Sequence, residues 1–413
     1  MNDNHHIPSG YKPSPLGPIP EDWEVKRLGE IGDFSKGNGV PKDKIIKDKH
    51  RHPCLTYGDL YTKYDFVIKD IKSFIDNDVA SESKEIHIGD ICFAGSGETP
   101  EDIGKCAAYI EERTAFAGGD IIILSPNKGI NSIWLSYVLN SDIGGKQRYK
   151  SAQGFSIVHI YPDNLKRIQI PTPILKEQQR IVSVLSLWDT AIEKQTALIE
   201  QLALRKHGLM QQLLTGKKRL KGFEGEGEWK RIKAGEIFKS ISVKGNGSEV
   251  LLSATQEHGV IPRDQLEGRV TMPTGDTNSF KLVEVGDFVI SLRSFQGGLE
   301  YSEHRGIVSP AYTVLKPIVE IDKSFYRYYF KSAEFIGHLA IAVIGIRDGK
   351  QISYEDFCFV KIPYPNIEEQ KAISTVLLQS DKEIEIQKQK LAAMQEQKKG
   401  LMQVLLTGKK RIN

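Results

Sequence analysis

Between Ile181 and Leu213 the apolar positions return at alternating steps of four and three. The slots hold Ile181, Leu185, Trp188, Ile192, Gln195, Ile199, Leu202, Lys206, Leu209 and Leu213. A second stretch fills the same slots with Ile373, Leu377, Ser380, Ile384, Gln387, Leu391, Met394, Lys398, Leu401 and Leu405. A period of about 3.5 residues sustained over several heptads predicts a coiled-coil helix in each stretch. Pro171 and Pro173, like Pro363 and Pro365, mark where each helix begins, and no Gly or Pro lies between Ile174 and His207. Gly216 and Gly408 mark the ends, and the Lys-Lys-Arg that follows suits the negative end of the helix dipole. Each helix of about 38 residues is then ~57 Å long. Burying each Leu or Ile is worth roughly 1.5–3 kcal/mol, so the two seams are expected to cover one another. The period leaves parallel and antiparallel pairing open. An antiparallel pair brings Gln195 within about one turn of Gln387, where buried polar groups can fix register. It also lays the Lys398 stem on the Trp188 indole.

The two stretches belong to a longer duplication. Residues 170–220 and 362–412 align without a gap, Glu177 on Glu369 and Gly208 on Gly400, with roughly half the positions identical. A repeat of this length is two copies of one unit rather than a solenoid of short repeats. The segments before each helix also share a frame. Trp23 followed by Leu28-Gly29-Glu30-Ile31 matches Trp229 followed by Ala234-Gly235-Glu236-Ile237, and KGNG occurs at 36–39 and 244–247. IHIGDICFAGSG (86–97) and VEVGDFVISLRS (283–294) read as alternating β-type segments after a Gly-Asp turn. VHIYPDNLKRIQIP and KQISYEDFCFVKIP align at the helix offset. The loops between these anchors differ, which suggests one task performed on two targets. The expected organisation is an extended arm over 1–19, globular domains over 20–170 and 223–362, and helical spacers over 171–216 and 366–409. The expected fold class is mixed α+β, with two related α/β domains separated by two long antiparallel helices.

Composition narrows the chemistry. The 413 residues are 39% hydrophobic and 26% charged, as in a soluble globular chain, and no apolar run approaches a bilayer span. The polar, Pro-rich N-terminus lacks a secretory h-region. Cys54, Cys92, Cys106 and Cys358 are irregularly spaced, which suits a reducing cytoplasm. His50, His52 and Cys54 form H-x-H-x-C, but no fourth ligand stands at a familiar spacing, so no metal site is expected.

Phe93-Ala94-Gly95-Ser96-Gly97 has the F-x-G-x-G form with which adenine methyltransferases hold S-adenosylmethionine. Glu98-Thr99-Pro100 follows where a helix should open, and the chain has no Pro-Pro pair for the companion catalytic motif. No phosphate-binding G-x-x-x-x-G-K-[ST] and no G-x-S-x-G occur either. No catalytic residues are assigned.

A net charge of +3 makes the whole chain only weakly basic, so basic residues count locally. Loops rich in Lys, Arg, Asn and Gln carry the side chains that meet base edges and phosphates. In the first domain the DNA-contact candidates are Lys36, Asn38, Lys44, Lys49, Arg51, Tyr57, Ser96, Lys105, Arg148, Lys150 and Gln153. In the second they are Lys244, Asn246, Arg263, Arg293, Ser294, Gln296, Arg347, Lys350 and Gln351.

With the opening GYKPSPLGPIPEDWEVKRLGEI, the G-D-I-x-F-x-x-S-G segment at 89–97, IPTP and IPYP, EQQRI and EQKAI, and two GLMQ-x-LLTGKKR endings, nearly the whole chain resembles the specificity subunit of type I restriction–modification systems. The duplicated order of variable domain, helix, variable domain, helix makes the resemblance specific. It implies that each domain is a target-recognition domain for one half of a split DNA site. It also implies antiparallel helices that set the distance between half-sites. Two adenine-methylating subunits would bind through the helices, and a translocating restriction subunit can join. The chain itself would be non-catalytic, with S-adenosylmethionine, ATP and Mg held by partner subunits. Unlike loops then imply an asymmetric, gapped target, and partners that supply much of the phosphate grip imply weak DNA binding by the chain alone. The competing expectation is a duplicated binding scaffold on a coiled coil that never meets DNA.

Overall fold

The computed structural model describes residues 7–154, 157–266, 276–292, 297–343 and 352–412. The chain divides into two compact units, 1–194 with 390–413, and 195–389. Each unit holds one globular domain and part of both long helices, Leu175–Leu213 and Ile367–Leu405. Among the described residues no helix is long and apolar enough to cross a membrane.

In the first unit, strands Glu24–Arg27 and Gln169–Thr172 pair antiparallel, Arg27 opposite Gln169. This ribbon joins the two ends of the domain just before the first long helix. A five-stranded sheet runs Gly32–Lys36, Ile121–Pro126, Ile91–Ala94, Cys106–Tyr109, Val67–Ile68, antiparallel except for the last pair. A four-stranded sheet runs Phe74–Ile75, His52–Leu55, Ala115–Ala117, Lys84–Ile86. Ile91–Ala94 is buried along its whole length rather than alternating, because the strand is central and covered on both faces. The core runs from Trp23 and Trp134 through Ile181 and Leu185 to Met402, Leu405 and Leu406.

The second unit repeats the frame. Lys230–Lys233 pairs with Lys361–Tyr364, and Phe238–Ile241, Thr313–Pro317, Phe288–Ile290 and Glu300–Tyr301 form an antiparallel sheet in the corresponding order. Its core is aromatic: Phe238, Phe288, Tyr326, Phe330, Phe335 and Phe357 are fully buried. The Phe330 and Phe335 ring centroids lie 4.7 Å apart.

The Gly-Asp turns are built alike. Gly89 and Gly286 take φ of 94° and 89°, left-handed values that glycine adopts without strain. Asp90 Oδ2 accepts the His87 N–H and Asp287 Oδ2 accepts the Glu284 N–H, each at 2.8 Å.

Within each unit the helix segments run antiparallel. In the first, Lys398 meets Asp189 and Arg411 meets Glu177. In the second, Gln195 meets Gln387, Lys206 meets Asp381, and Arg219 meets Glu369. Gln195 Nε2 donates to Gln387 Oε1 at 2.9 Å, so the expected polar pair forms. The remaining seam residues, from Ile181, Leu185, Trp188, Ile192, Ile199, Leu202, Leu209 and Leu213 to Ile373, Leu377, Ile384, Leu391, Met394, Leu401 and Leu405, are all buried or half-buried.

Two expectations at the helices are corrected. Lys398 does not lie on Trp188; its Nζ bonds Asp189 and sits 3.9 Å from the Phe66 ring centroid and 5.3 Å from that of Tyr137. The neighbouring carboxylate, which also takes the Tyr137 hydroxyl, outcompetes an indole for a buried ammonium. Burial holds the Lys398 amine below its usual range. The second unit repeats the arrangement, with Lys206 and the Tyr328 hydroxyl both donating to Asp381 at 2.5 Å.

Nor do the arginines after each helix serve that helix's own dipole. Arg411 bonds Glu177, 2.6 Å from Nε, and Arg219 bonds Glu369, 2.7 Å from Nη2, each carboxylate lying in the first turn of the other helix. The Trp23 and Trp229 indoles donate to the same carboxylates at 3.0 and 2.9 Å. A bidentate guanidinium fits a carboxylate better than a row of carbonyl dipoles. Backbone N–H groups of Lys218 and Lys410 bond the carbonyls of Gln212 and Val404.

Within the arm the chain turns back on itself as a short ribbon. Tyr11–Lys12 pairs with Ile19–Pro20, and the Tyr11 hydroxyl donates to the Gly408 carbonyl at 2.8 Å. Gly408 has φ 73°, and a Cβ there would stand 2.5 Å from Pro20 Cδ. Gly408→Ala therefore combines left-handed strain of roughly 1–2 kcal/mol with a clash. The first unit's denaturation midpoint should fall in urea melts, while Gly400→Ala, which meets nothing within 4 Å, leaves it unchanged or raised.

Candidate nucleic-acid interface

The F-A-G-S-G segment is strand and turn, not the mouth of a cofactor helix. Phe93 and Ala94 end a central strand. Gly95 donates to the Asp120 carbonyl at 2.7 Å and accepts from the Ile160 N–H at 3.0 Å. A Cβ on Gly95 would sit 2.8 Å from the Asp120 oxygen, and one on Gly97 would sit 2.7 Å from the Tyr61 hydroxyl. Both glycines thus allow close approach. The chain then leaves the sheet, and Ser96–Gly97 pairs antiparallel with Val158–His159.

That ribbon gathers a polar row. Ser96 lies opposite His159, and His159 lies opposite Gln153 through paired backbone bonds of 2.7 and 3.0 Å. Directly opposed residues share one face, so the three side chains form a line. Ser96 Oγ is 3.1 Å from His159 Nδ1. The Tyr61 hydroxyl donates to the Ser96 carbonyl at 3.0 Å. Burial pushes the Tyr61 phenol up to about 12, so it remains a donor at neutral pH. The Tyr161 ring lies 6.4 Å from that of His159. Tyr57, Tyr149 and Tyr161 are exposed, as is Lys150.

The other first-domain candidates separate by environment. Lys36, Lys44 and Lys49 are exposed. Asn38 is exposed but donates to the Glu82 carbonyl at 2.9 Å. Arg51 pairs with Asp76 at 3.2 Å, and Lys105 pairs with Asp65 at 3.2 Å. Arg148 is a correction. It is 5% exposed, and its guanidinium donates to the carbonyls of Ile103 and Leu139. It ties the turn that precedes Lys105 to the domain and presents no surface to a ligand. The H-x-H-x-C residues do not converge on one point: His50 is exposed, His52 Nε2 is 2.7 Å from Asn77 Oδ1, and Cys54 is fully buried.

In the second domain Lys244 is exposed, and Asn246 donates back to the Lys244 carbonyl at 3.2 Å. Arg263 follows the hairpin of Leu252–Thr255 with Gly259–Pro262, and its buried Nε has no partner among the described residues. Arg293, Ser294, Gln296, Arg347, Lys350 and Gln351 lie outside the described residues. By sequence, Arg293 stands in the slot of Ser96 and Gln351 in that of His159.

Nearby, Lys331 Nζ bonds both oxygens of buried Glu300 at 2.7 Å. Burial pushes the Glu300 carboxyl up to about 7 against the pull of Lys331. A raised folded pKa means that protonation favours the fold. This stability is complete below the ordinary value of 4.5 and is lost as pH rises through about 7. Glu300→Gln should flatten the decline of the second unit's denaturation midpoint across that window, read from urea melts at stepped pH.

His159, Tyr149 and Tyr161 were not among the sequence candidates; the structure sets His159 against Ser96 and Tyr161 beside His159. His159 lies inside the segment that aligns with KQISYEDFCFVKIP, but a lone histidine beside a tyrosine carried no signal until Ser96 was brought to it.

The model of the type I restriction modification DNA specificity domain matches residues 20–203 and again 226–396, one match per globular domain with its helix. The chain belongs to the type I restriction–modification DNA specificity family. A Methanocaldococcus jannaschii protein named as the putative type I restriction enzyme MjaX specificity subunit is 31% identical over 97% of this chain and 97% of its own length. The MjaVIII specificity subunit of the same organism is 28% identical over 95% of this chain and 94% of its own. Among solved structures, a chain from work on complex assembly and conformational transition of the type I R-M system superposes with a TM-score of 0.62 at 19% identity, covering 94% of this chain and 99% of that one. The S subunit from M. genitalium superposes at 0.54 with 16% identity, covering 98% of each chain. The specificity family's task is DNA recognition, and the mixed α+β fold and duplicated domains of this chain are those of a specificity subunit.

Proposed function

We propose that this chain reads a bipartite, asymmetric, gapped DNA site, one half-site per globular domain, and aims adenine methylation by two bound modification subunits. The reading makes the chain itself non-catalytic. It assigns S-adenosylmethionine, ATP and Mg to partner subunits, admits restriction subunits to the complex, and places the work in the cytoplasm. The observation that carries it is the duplicated frame with unlike loops: the same ribbon, sheet order and Gly-Asp turn recur at 24–172 and 230–364, while the basic and amide-rich segments between them differ. A shared frame suits one docking geometry used twice, and unlike loops suit unlike base sequences. The paired Arg, Lys and Tyr residues that hold the helices are mostly committed to internal bonds. A weakly basic chain then relies on partners for much of its phosphate grip.

The test is methylation mapping by long-read sequencing of DNA from cells expressing the chain with its neighbouring methyltransferase. One split motif with adenine methylation on both halves, absent when the chain is omitted, is the expected result. An assembled complex with no chain-dependent motif would sink the reading. Mobility shifts of the isolated chain should show weak binding that collapses between about 50 and 200 mM salt.

A further inference from the structure

We infer that the row Ser96–His159–Gln153 is the base-reading edge of the first domain, with His159 and Gln153 as readers and Ser96 as the positioning residue; this rests on the DNA-reading function proposed above. A two-stranded β-ribbon is one of the two protein elements that the major groove admits. Ser96–Gly97 with Val158–His159 is such a ribbon; it continues the chain past Gly95 and packs on the domain through buried Ser96, Gly97 and Val158, so the edge it presents is that of His159 and Gln153. The alternation along the strand separates its faces. Val158 is buried, while half-buried His159 and exposed Gln153 stand on the other face.

The chemistry of the row suits bases. Ser96 Oγ engages Nδ1 of His159, and Nε2 has no partner among the described residues. The orientation of the serine hydroxyl is thereby tied to the ring tautomer, and in each arrangement Nε2 is a single-purpose group. With Oγ donating, Nε2 carries a proton and seeks guanine O6 or N7, or thymine O4. With Oγ accepting, Nε2 is a lone pair and seeks the amino group of adenine or cytosine. Gln153 adds an amide with a donor and an acceptor, the pair that matches adenine in the major groove. Its backbone is held by His159, so the side chain is presented from a fixed strand. Exposed Lys150 and Tyr149, three and four residues before Gln153, can meet a neighbouring phosphate and sugar. The exposed carboxylates of Glu98, Glu101 and Asp102 in the turn after Gly97 oppose phosphate there, which favours an approach from the Lys150 side.

The experiment repeats the methylation mapping with the full chain and its methyltransferase, comparing wild type with His159→Ala, Gln153→Ala and Ser96→Ala. The expected result for the first two is a loss of discrimination of roughly ten-fold or more at one or two bases of one half-site, with the other half-site unchanged. Ser96→Ala should weaken the same base as His159→Ala, since it frees the ring. If His159→Ala abolishes all methylation, Gln153→Ala decides, because its exposed side chain is not needed for the ribbon's backbone bonds. A wild-type split motif with both half-sites unaltered in Gln153→Ala and Ser96→Ala overturns the row and leaves the DNA-reading function standing. No split motif in wild type overturns both.

Discussion

Replacing Glu369 with alanine should destabilise the second unit by roughly 3–5 kcal/mol, the cost of breaking a buried charge pair by removing one partner. Glu369 is fully buried, and its carboxylate accepts three hydrogen bonds from two side chains. Arg219 donates to it from Nε at 2.5 Å and Nη2 at 2.7 Å, and the Trp229 indole donates at 2.9 Å. Truncation takes the shared acceptor from the indole N–H and from a mostly buried guanidinium, which keeps only the Gly227 carbonyl and Glu226. Glu177→Ala should act alike on the first unit, where Arg411 and Trp23 meet the same carboxylate. Arg411 is more exposed than Arg219, 36% against 13% for the side chains, so the loss there should be smaller. Urea denaturation followed by tryptophan fluorescence reads both. Equal midpoints for Glu369→Ala and wild type would show that the clasp carries no stability. A double-mutant cycle of Glu369→Ala with Arg219→Ala should reveal strong coupling rather than additive losses.

A chain ending at Arg219 should form a homodimer. The first unit is completed by 390–413: Met402, Leu405 and Leu406 lie in its core with Trp23, Ile181 and Leu185, and Arg411 closes on Glu177. A chain of residues 1–219 lacks that segment but carries its counterpart, because GLMQQLLTGKKR at 208–219 repeats GLMQVLLTGKKR at 400–411 with one difference. A second copy can supply Met210, Leu213, Leu214 and Arg219 in the slots of Met402, Leu405, Leu406 and Arg411, and receive the same in return. Such reciprocal exchange closes as a twofold. Each buried Leu or Met is worth roughly 1.5–3 kcal/mol, so three per copy make an open monomer unfavourable. Sedimentation should show a dimer at micromolar concentration. With the methyltransferase present, the methylated site should become a palindrome of the first half-site. A well-behaved monomer would mean that the first domain does not need this segment.

The Glu-Trp-Arg clasps show what a linear reading can and cannot provide. Trp23, Glu177 and Arg411 each have a counterpart in the repeat, and all six stood out as matched positions. That they meet was not legible, because the bonds span 154 and 234 residues in one clasp and 140 and 150 in the other. The dipole expectation for the arginine of each Lys-Lys-Arg end came from a local rule, and a distant carboxylate proved the better partner. Lys398 failed on Trp188 for the same reason: Asp189 is its immediate neighbour in sequence, and only side-chain packing from Phe66 and Tyr137 selects between them.

The base-reading candidates divided along similar lines. Composition found Ser96, Arg148 and Gln153 alike, since all three are polar residues in polar loops. Burial then turned Arg148 inward to two carbonyls, and strand pairing joined Ser96 to Gln153 through His159. By itself the sequence determined the two long helices, the duplication, the absence of the cofactor helix after Phe93 and the shared frame of the domains. Those features rest on periods, glycines, prolines and matched segments, which are properties of the chain in one dimension. Only the tertiary structure decided the antiparallel partners, the clasps and the polar row. Each depends on which distant groups are desolvated together, and a buried charge or hydroxyl takes the best acceptor within reach wherever that lies in the sequence.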